Sequence, residues 1–240
     1  MKKMNIGKFS DKGLNHVAII PDGNRRWARE RNLLPWQGHE EGAKRIQDIM
    51  EVVSKTDISY LTFWVASKDN LQRRSKQEVN FLFKLFTQNF KRLLKREELN
   101  KQQIRVRILG DWIELAPNSL KKVIREITEK TRTNNKRHLT FLLGYNGVDE
   151  MLNGIKSLIK KPPLKITKEA VKKTLITSDL PPVDLLIRTG GEPHNSAGFM
   201  MWHTAYSQYF FTPKYFPSFN KKEFLKALND FLERERRFGA

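Results

Sequence analysis

His16-Val17-Ala18-Ile19-Ile20-Pro21-Asp22-Gly23-Asn24-Arg25-Arg26-Trp27 decides how this chain is read. A short apolar run stops at Pro21, an Asp-Gly-Asn turn follows, and a charged segment of helical composition begins. That order predicts a strand, a tight turn and a helix N-terminus. Gly23 permits a backbone conformation closed to bulkier residues and lets a ligand come close. The first amides of a helix have no acceptor inside it, so they offer several donors and the positive end of the dipole to an anion. Arg25 and Arg26 add forked donors suited to phosphate oxygens. Asp22 is an acid in otherwise phosphate-friendly surroundings, which suits a magnesium ion.

Outward from this stretch, residues 60–66, 104–110, 138–145 and 183–187 have strand composition, and the 60–66 run is apolar enough to be buried on both faces. Helical patterns cover 40–56, about 115–132, 149–160, 167–177 and about 221–236. Ser75-Lys76-Gln77-Glu78 is a capping-box pattern opening a long helix. Its apolar face is broad, with Val79, Leu82, Phe86 and Phe90 on one side and Phe81, Leu85, Leu93 and Leu94 widening it. Strands alternating with helices, without repeats or a low-complexity linker, predict an α/β fold. The expected form is a single domain with a central, mostly parallel sheet of about six strands flanked by helices. Residues 1–15 read as a polar, loosely packed lead-in and 16–240 as that domain.

Composition narrows the function classes. The 240 residues carry 45 Lys+Arg against 26 Asp+Glu, a formal net charge of +19. Such a balance favours polyanions: nucleic acid, anionic lipid headgroups or diphosphates. The basic residues are spread along the chain, which is equally the pattern of solvated helix faces. There is no cysteine, which excludes disulfides, thiolate metal sites and cysteine nucleophiles. No signal-peptide pattern and no apolar run of about 20 residues is present, so the expectation is a soluble, cytoplasmic protein. Walker loops, paired dinucleotide-binding glycines, zinc-protease helices, nucleophile elbows and RNA-binding signatures are all missing.

In open parallel sheets, ligands sit outside the carboxyl ends of the strands. The polar clusters of this chain fall at those ends: 22–24, 67–70, Asn146 and 188–196. They bring arginines and amides with few acids, which describes a site for a phosphorylated ligand with one metal-binding carboxylate.

Five motifs taken together resemble the cis-prenyltransferases, the isoprenyl transferases typified by undecaprenyl diphosphate synthase. They are 16–28, Gly38-His39, Ser67 with Asn70 and Arg73, 182–192 and 234–239. The resemblance implies an apolar tunnel and a magnesium-dependent condensation of isopentenyl diphosphate onto an allylic diphosphate, of farnesyl or geranylgeranyl type, giving a Z-polyprenyl diphosphate. By position, Asp22 becomes the magnesium carboxylate, while Asn24 and Asn70 assist at the reacting carbons. Gly23, Arg25, Arg26, Trp27, His39, Ser67 and Arg73 belong to the substrate pocket, and Arg188 and Ser196 grip isopentenyl diphosphate. His194 stands where the family has arginine, and Gln208 stands where it has a glutamate beside the metal. The resemblance further implies a homodimer in which Arg237-Phe238-Gly239 closes the partner's site. The helix beginning after Ser75 is the candidate tunnel wall and Phe141 the candidate floor. The basic surface suits a peripheral position on anionic membrane, and nucleic acid is not expected as a partner. The competing readings are a non-catalytic prenyl-binding subunit, suggested by Gln208 and the missing arginine, and a basic nucleic-acid-binding protein, suggested by charge alone.

Overall fold

Alternating residues of each central strand explain how one sheet is buried on both sides. Val17, Ile19, Leu61, Phe63, Val106, Leu139, Phe141, Leu185 and Ile187 point into the larger core, whereas Ala18, Ile20, Trp64, Leu142 and Leu186 point into a smaller one. The computed structural model describes residues 9–234. Its strands are β1 (His16–Ile20), β2 (Tyr60–Ser67), β3 (Ile104–Leu109), β4 (Arg137–Tyr145), β5 (Leu185–Arg188) and β6 (Gln208–Phe211). They form one sheet in the order β3-β4-β2-β1-β5-β6, and every pairing is parallel. From β1 the chain moves to β2 on one side and later returns to β5 on the other. The crevice between the carboxyl ends of β1 and β5 is therefore the switch point at which parallel sheets hold ligands.

The helices are α1 (Asn24–Arg29), α2 (Pro35–Ser54), α3 (Lys68–Arg73), α4 (Lys76–Leu94), α5 (Glu98–Lys101), α6 (Trp112–Leu115), α7 (Asn118–Lys130), α8 (Gly147–Lys160), α9 (Lys168–Lys173) and α10 (Lys221–Glu233). Apolar faces of α2, α4, α7 and α10 cover the larger core, with Ile49, Val53, Phe90, Leu93, Leu120, Ile124, Phe224 and Phe231 inward. Burial of each such side chain stabilises the fold by about 1.5–3 kcal/mol. Residues 180–183 and 199–200 cover the smaller core.

The α/β reading holds, and several boundaries move for local reasons. Pro35 opens α2, where its missing N–H is among those left without an intrahelical acceptor. Leu34 N donates to Gln37 Oε1 at 2.9 Å, so Glu40 and Glu41 lie beyond the first turn. Pro117 forces Ala116 into extended backbone, so the helix expected from about 115 begins at Asn118 as α7, and Leu115 closes the separate α6. The helix expected over 167–177 ends at Lys173, and α10 ends at Glu233. The lead-in is not loose throughout: Phe9 is buried in the larger core and its amide donates to Asp57 Oδ1 at 2.8 Å.

Candidate functional site

The rim hollow at the switch point begins with Gly23, whose φ of +97° is left-handed. A Cβ there would stand 2.5 Å from Tyr215 Cδ1, so both conformation and space require glycine. The turn lets α1 start with the amides of Asn24, Arg25 and Arg26 facing outward from the first intrahelical bond, Trp27 N to Gly23 O.

Asp22 follows β1, and Arg188 ends β5 beside it. Arg188 Nη2 donates to Asp22 Oδ2 at 3.0 Å, Gly23 N donates to Oδ1 at 2.6 Å, and Arg26 Nη2 lies 3.3 Å from the same oxygen. Arg188 is nearly buried and its Nη1 donates to the His194 carbonyl at 2.7 Å. Thr189 is fully buried and locks the Asp22 backbone, accepting from its N–H and donating to its carbonyl at 3.0 and 2.7 Å.

A second charged group stands across the hollow. Glu78, with a side chain 7% exposed, gathers His39 Nε2 at 3.4 Å, Arg74 Nη1 at 3.4 Å and Arg25 Nε at 3.8 Å around one oxygen. Contact with His39 and then the neighbouring arginines holds the Glu78 carboxyl below its ordinary value against the opposing effect of burial. Burial pushes His39 down despite its contact with Glu78, which leaves the ring neutral near pH 7. Only half of the expected capping box forms. Ser75 Oγ accepts from Glu78 N at 3.2 Å, while the Glu78 carboxylate turns to the cluster instead of the helix end.

Asp22, Gly23, Asn24, Arg25, Arg26, His39, Ser67, Asn70, Arg188 and Ser196 all line this hollow of about 990 Å³. Ser67 also caps α3, accepting from Asn70 N at 3.0 Å. Four of the expected site residues lie elsewhere. Trp27 is on the outer side of α1, with its indole donating to Ser218 Oγ at 3.0 Å and Arg31 4.4 Å above its ring. Arg73 closes α3 and is exposed, whereas Arg74, the next residue, leaves the helix in extended backbone and turns inward. The adjacent pair of arginines carried the signal, and one residue of register misdirected it. The His194 side chain is 59% exposed and only its carbonyl reaches Arg188. Gln208 opens β6 in register with Leu185 and hence with Val17, at the amino ends of the strands, so parallel pairing places it at the opposite edge from Asp22. Arg237-Phe238-Gly239 lies outside the described residues. Sequence reasoning missed Arg74, Glu78 and Thr189; Glu78 was visible only as a helix cap.

Beneath the rim, between α2, α4 and the sheet, lies an apolar hollow of about 90 Å³. Ile46, Met50, Leu82, Phe86, Phe90 and Phe141 are among its walls. Pro21, Asn24, His39 and Val65 line both hollows. A Cβ on Gly38 would meet Asn24 O at 2.0 Å, so this glycine lets α2 approach closely enough to set His39 beside Asn24. Asn24 Nδ2 donates to Pro21 O at 3.0 Å, while its Oδ1 is buried without a partner among the described residues.

Residues 20–239 match the family described as "Putative undecaprenyl diphosphate synthase". The chain is 40% identical over 230 residues to the tritrans,polycis-undecaprenyl-diphosphate synthase (geranylgeranyl-diphosphate specific) of Pyrococcus furiosus, covering 93% of this chain and 86% of that one. It is 36% identical to an isoprenyl transferase of Rickettsia felis, covering 94% of each. Among solved structures, lavandulyl diphosphate synthase from Lavandula x intermedia, in complex with dimethylallyl diphosphate, superimposes with a TM-score of 0.88. It is 30% identical, covering 96% of this chain and 100% of that one. A probable undecaprenyl diphosphate synthase from Campylobacter jejuni gives 0.76 at 30% identity, covering 95% and 99%.

Proposed function

This chain belongs to the undecaprenyl diphosphate synthase family of prenyltransferases, and from that membership we propose that it elongates an allylic diphosphate with isopentenyl diphosphate to a Z-polyprenyl diphosphate. The observation that carries the reading is the junction at Asn24 and His39, where a hollow rich in guanidinium and amide donors opens directly onto an apolar one. A ligand with an anionic head and a hydrocarbon tail needs both on one path.

The allylic diphosphate takes the Asn24–Arg26 amides, Arg26 and His39, with Arg74 in the place first assigned to Arg73. Arg188 and Ser196 face isopentenyl diphosphate. A carbon–carbon bond forms between the isopentenyl double bond and the allylic C1. The C1–oxygen bond breaks with its electron pair going to the departing diphosphate, and the isopentenyl unit loses a proton. The fixed charges are worth most at the departing group, because negative charge accumulates there and the donors are already held by buried or half-buried acids. Asn24 Oδ1, buried at the junction and without a partner among the described residues, can accept a hydrogen bond from a group arriving there.

Among the described residues, no group of three His, Asp or Glu side chains is arranged to hold a metal. Magnesium commonly binds through one or two carboxylates together with substrate phosphates. The Asp22 carboxylate, 33% exposed toward a hollow built for diphosphate, fits that mode. Bound there, the ion would neutralise charge on the departing diphosphate.

The apolar hollow is far below the roughly 300 Å³ of ordinary ligand pockets. A growing chain therefore requires Phe86 and Phe90 to turn or α2 and α4 to separate. A homodimer is supported by the exposed apolar stripe on α8 formed by Val148, Leu152, Ile155 and Ile159. No helix among the described residues is long and apolar enough to cross a membrane. The net charge of +19 supports loose attachment to an anionic bilayer.

The test is incorporation of labelled isopentenyl diphosphate by the purified protein, with farnesyl and geranylgeranyl diphosphate as primers and with or without magnesium. Asp22→Ala is expected to lower kcat/KM by about 10³-fold, the scale of losing a preorganised electrostatic partner. Full activity in that variant would refute the carboxylate's role. Inactivity of the wild-type protein alone would point to the non-catalytic subunit.

A further inference from the structure

Behind the isopentenyl side of the rim, a buried carboxylate lies outside the machinery described so far. Glu150, in the first turn of α8, is 6% exposed. Its Oε2 accepts from Tyr145 Oη at 2.6 Å. Its Oε1 accepts from Thr177 N at 3.0 Å and from Thr177 Oγ1 at 2.8 Å. These donors are neutral, so the carboxylate is stabilised by hydrogen bonds rather than by a cation.

Hydrogen positions follow from the donor inventory. The Thr177 hydroxyl has one proton, which goes to Glu150, so its oxygen accepts from His203 Nε2 at 2.9 Å. That requires the Nε2–H tautomer of a neutral ring, and burial does lower His203 to about 4. On the other branch, the Tyr145 oxygen accepts from Met200 N at 3.2 Å. The two oxygens of Glu150 thus tie down both ends of 200–203, one through Tyr145 and one through Thr177.

The tied segment needs such restraint. Ala197, Gly198 and Met200 all have positive φ, at 43°, 60° and 47°. Left-handed backbone at the two non-glycine positions costs free energy that the surroundings must offset. Gly147 N donates to Ala197 O at 3.1 Å, and a Cβ at Gly147 would meet Gly198 O at 1.8 Å, so the loop also rests on the α8 N-terminus. Ser196 and Ala197 line the rim hollow, and the His194 carbonyl two residues earlier anchors Arg188.

We infer that Glu150 is a positioning residue: through Tyr145 and Thr177 it holds 196–203 in its strained form, and so sets how Ser196 and Arg188 meet the isopentenyl diphosphate. The inference rests on the reading under Proposed function for the identity of that ligand. The network itself does not depend on it. Glu150 is not among the residues lining the rim hollow and acts only through the loop.

The experiment uses the full chain with Glu150→Gln, Tyr145→Phe, Thr177→Val and the conservative Thr177→Ser. Hydrogen exchange at 196–204 is read beside steady-state kinetics for each diphosphate separately. Glu150→Gln, Tyr145→Phe and Thr177→Val are expected to speed exchange of the segment, and to raise the KM for isopentenyl diphosphate by about tenfold, the scale of one lost charge-assisted hydrogen bond. The allylic KM and kcat should stay within about twofold by the same reasoning, and Thr177→Ser should match the wild type. Unchanged exchange overturns the inference. So does a common rise of both KM values with falling kcat, which marks general loosening, or faster exchange with no kinetic effect. If the wild-type chain itself incorporates no label, the functional reading fails instead, and exchange still judges the tether.

Discussion

The rim hollow and the apolar hollow share four residues and almost nothing else in how they are made. The rim is assembled from loops at the carboxyl ends of β1, β2 and β5, and its charges are arranged around buried or half-buried acids. The apolar hollow is assembled from helix faces and the sheet, with Phe90 meeting Phe141 edge to face at 5.2 Å between ring centres. One depends on a few directional contacts that fail singly; the other depends on summed volume and tolerates exchange among side chains of similar size. Specific variants should therefore damage the first by orders of magnitude and retune the second by degrees.

The sharpest division lies between neighbouring arginines. Arg74→Ala is expected to raise the KM of a diphosphate substrate by about 30-fold, the scale of losing a charged contact, and Arg73→Ala by no more than about twofold. Steady-state kinetics on the two proteins decides, and equal effects would erase the boundary drawn around the rim. Phe141→Leu is expected to lengthen the product distribution while leaving both KM values near wild type, at a stability cost of about 1–2 kcal/mol. Chromatography of the extracted products with a urea melt checks it, and a change in KM without a change in length would break the separation of head and tail.

The smallest effect is in pH. His39 and Glu78 both have lowered values in the folded protein, against ordinary values of 6.5 and 4.5. The His39 contribution is complete above 6.5 and is lost as pH falls through its lowered folded value. The Glu78 contribution is complete above 4.5 and is lost as pH falls through its own. Buried His16 and His203, both lowered from 6.5 to about 4, lose stability over the same range, so thermal melts from about pH 7 to about pH 4 should decline in every variant, and less steeply at the acid end in Glu78→Gln. Phe141→Leu should run parallel to the wild type, because the ionisable groups that line the apolar hollow and not the rim, Arg92 and Arg96, stay charged over this range.

The legibility of the sequence followed the range of the interactions. His16–Ile20 was read to the residue because apolar run, proline and glycine lie within a few positions of one another. The rim residues Asp22, Asn24, Arg26, His39 and Arg188 were named from motifs, each of which carries its local backbone with it. Arg73 was chosen over Arg74 because only the exit of α3 reveals which side chain turns inward. Gln208 was set beside the metal because a linear motif contains no strand register. His194 was expected to act by its ring, whereas the fold uses its carbonyl.

By itself the sequence determined a parallel α/β sheet, the loops that carry the arginines and amides of the rim and the apolar face of α4, because strand period, turn chemistry and helix stripe are local properties. Tertiary structure alone decided that Asp22 and Arg188 pair across β1 and β5, that Glu78 gathers three basic side chains rather than closing its helix, and that Glu150 ties down 200–203 through Tyr145 and Thr177. Those contacts join residues far apart in the chain, and only the packed sheet fixes which of them come within hydrogen-bonding distance.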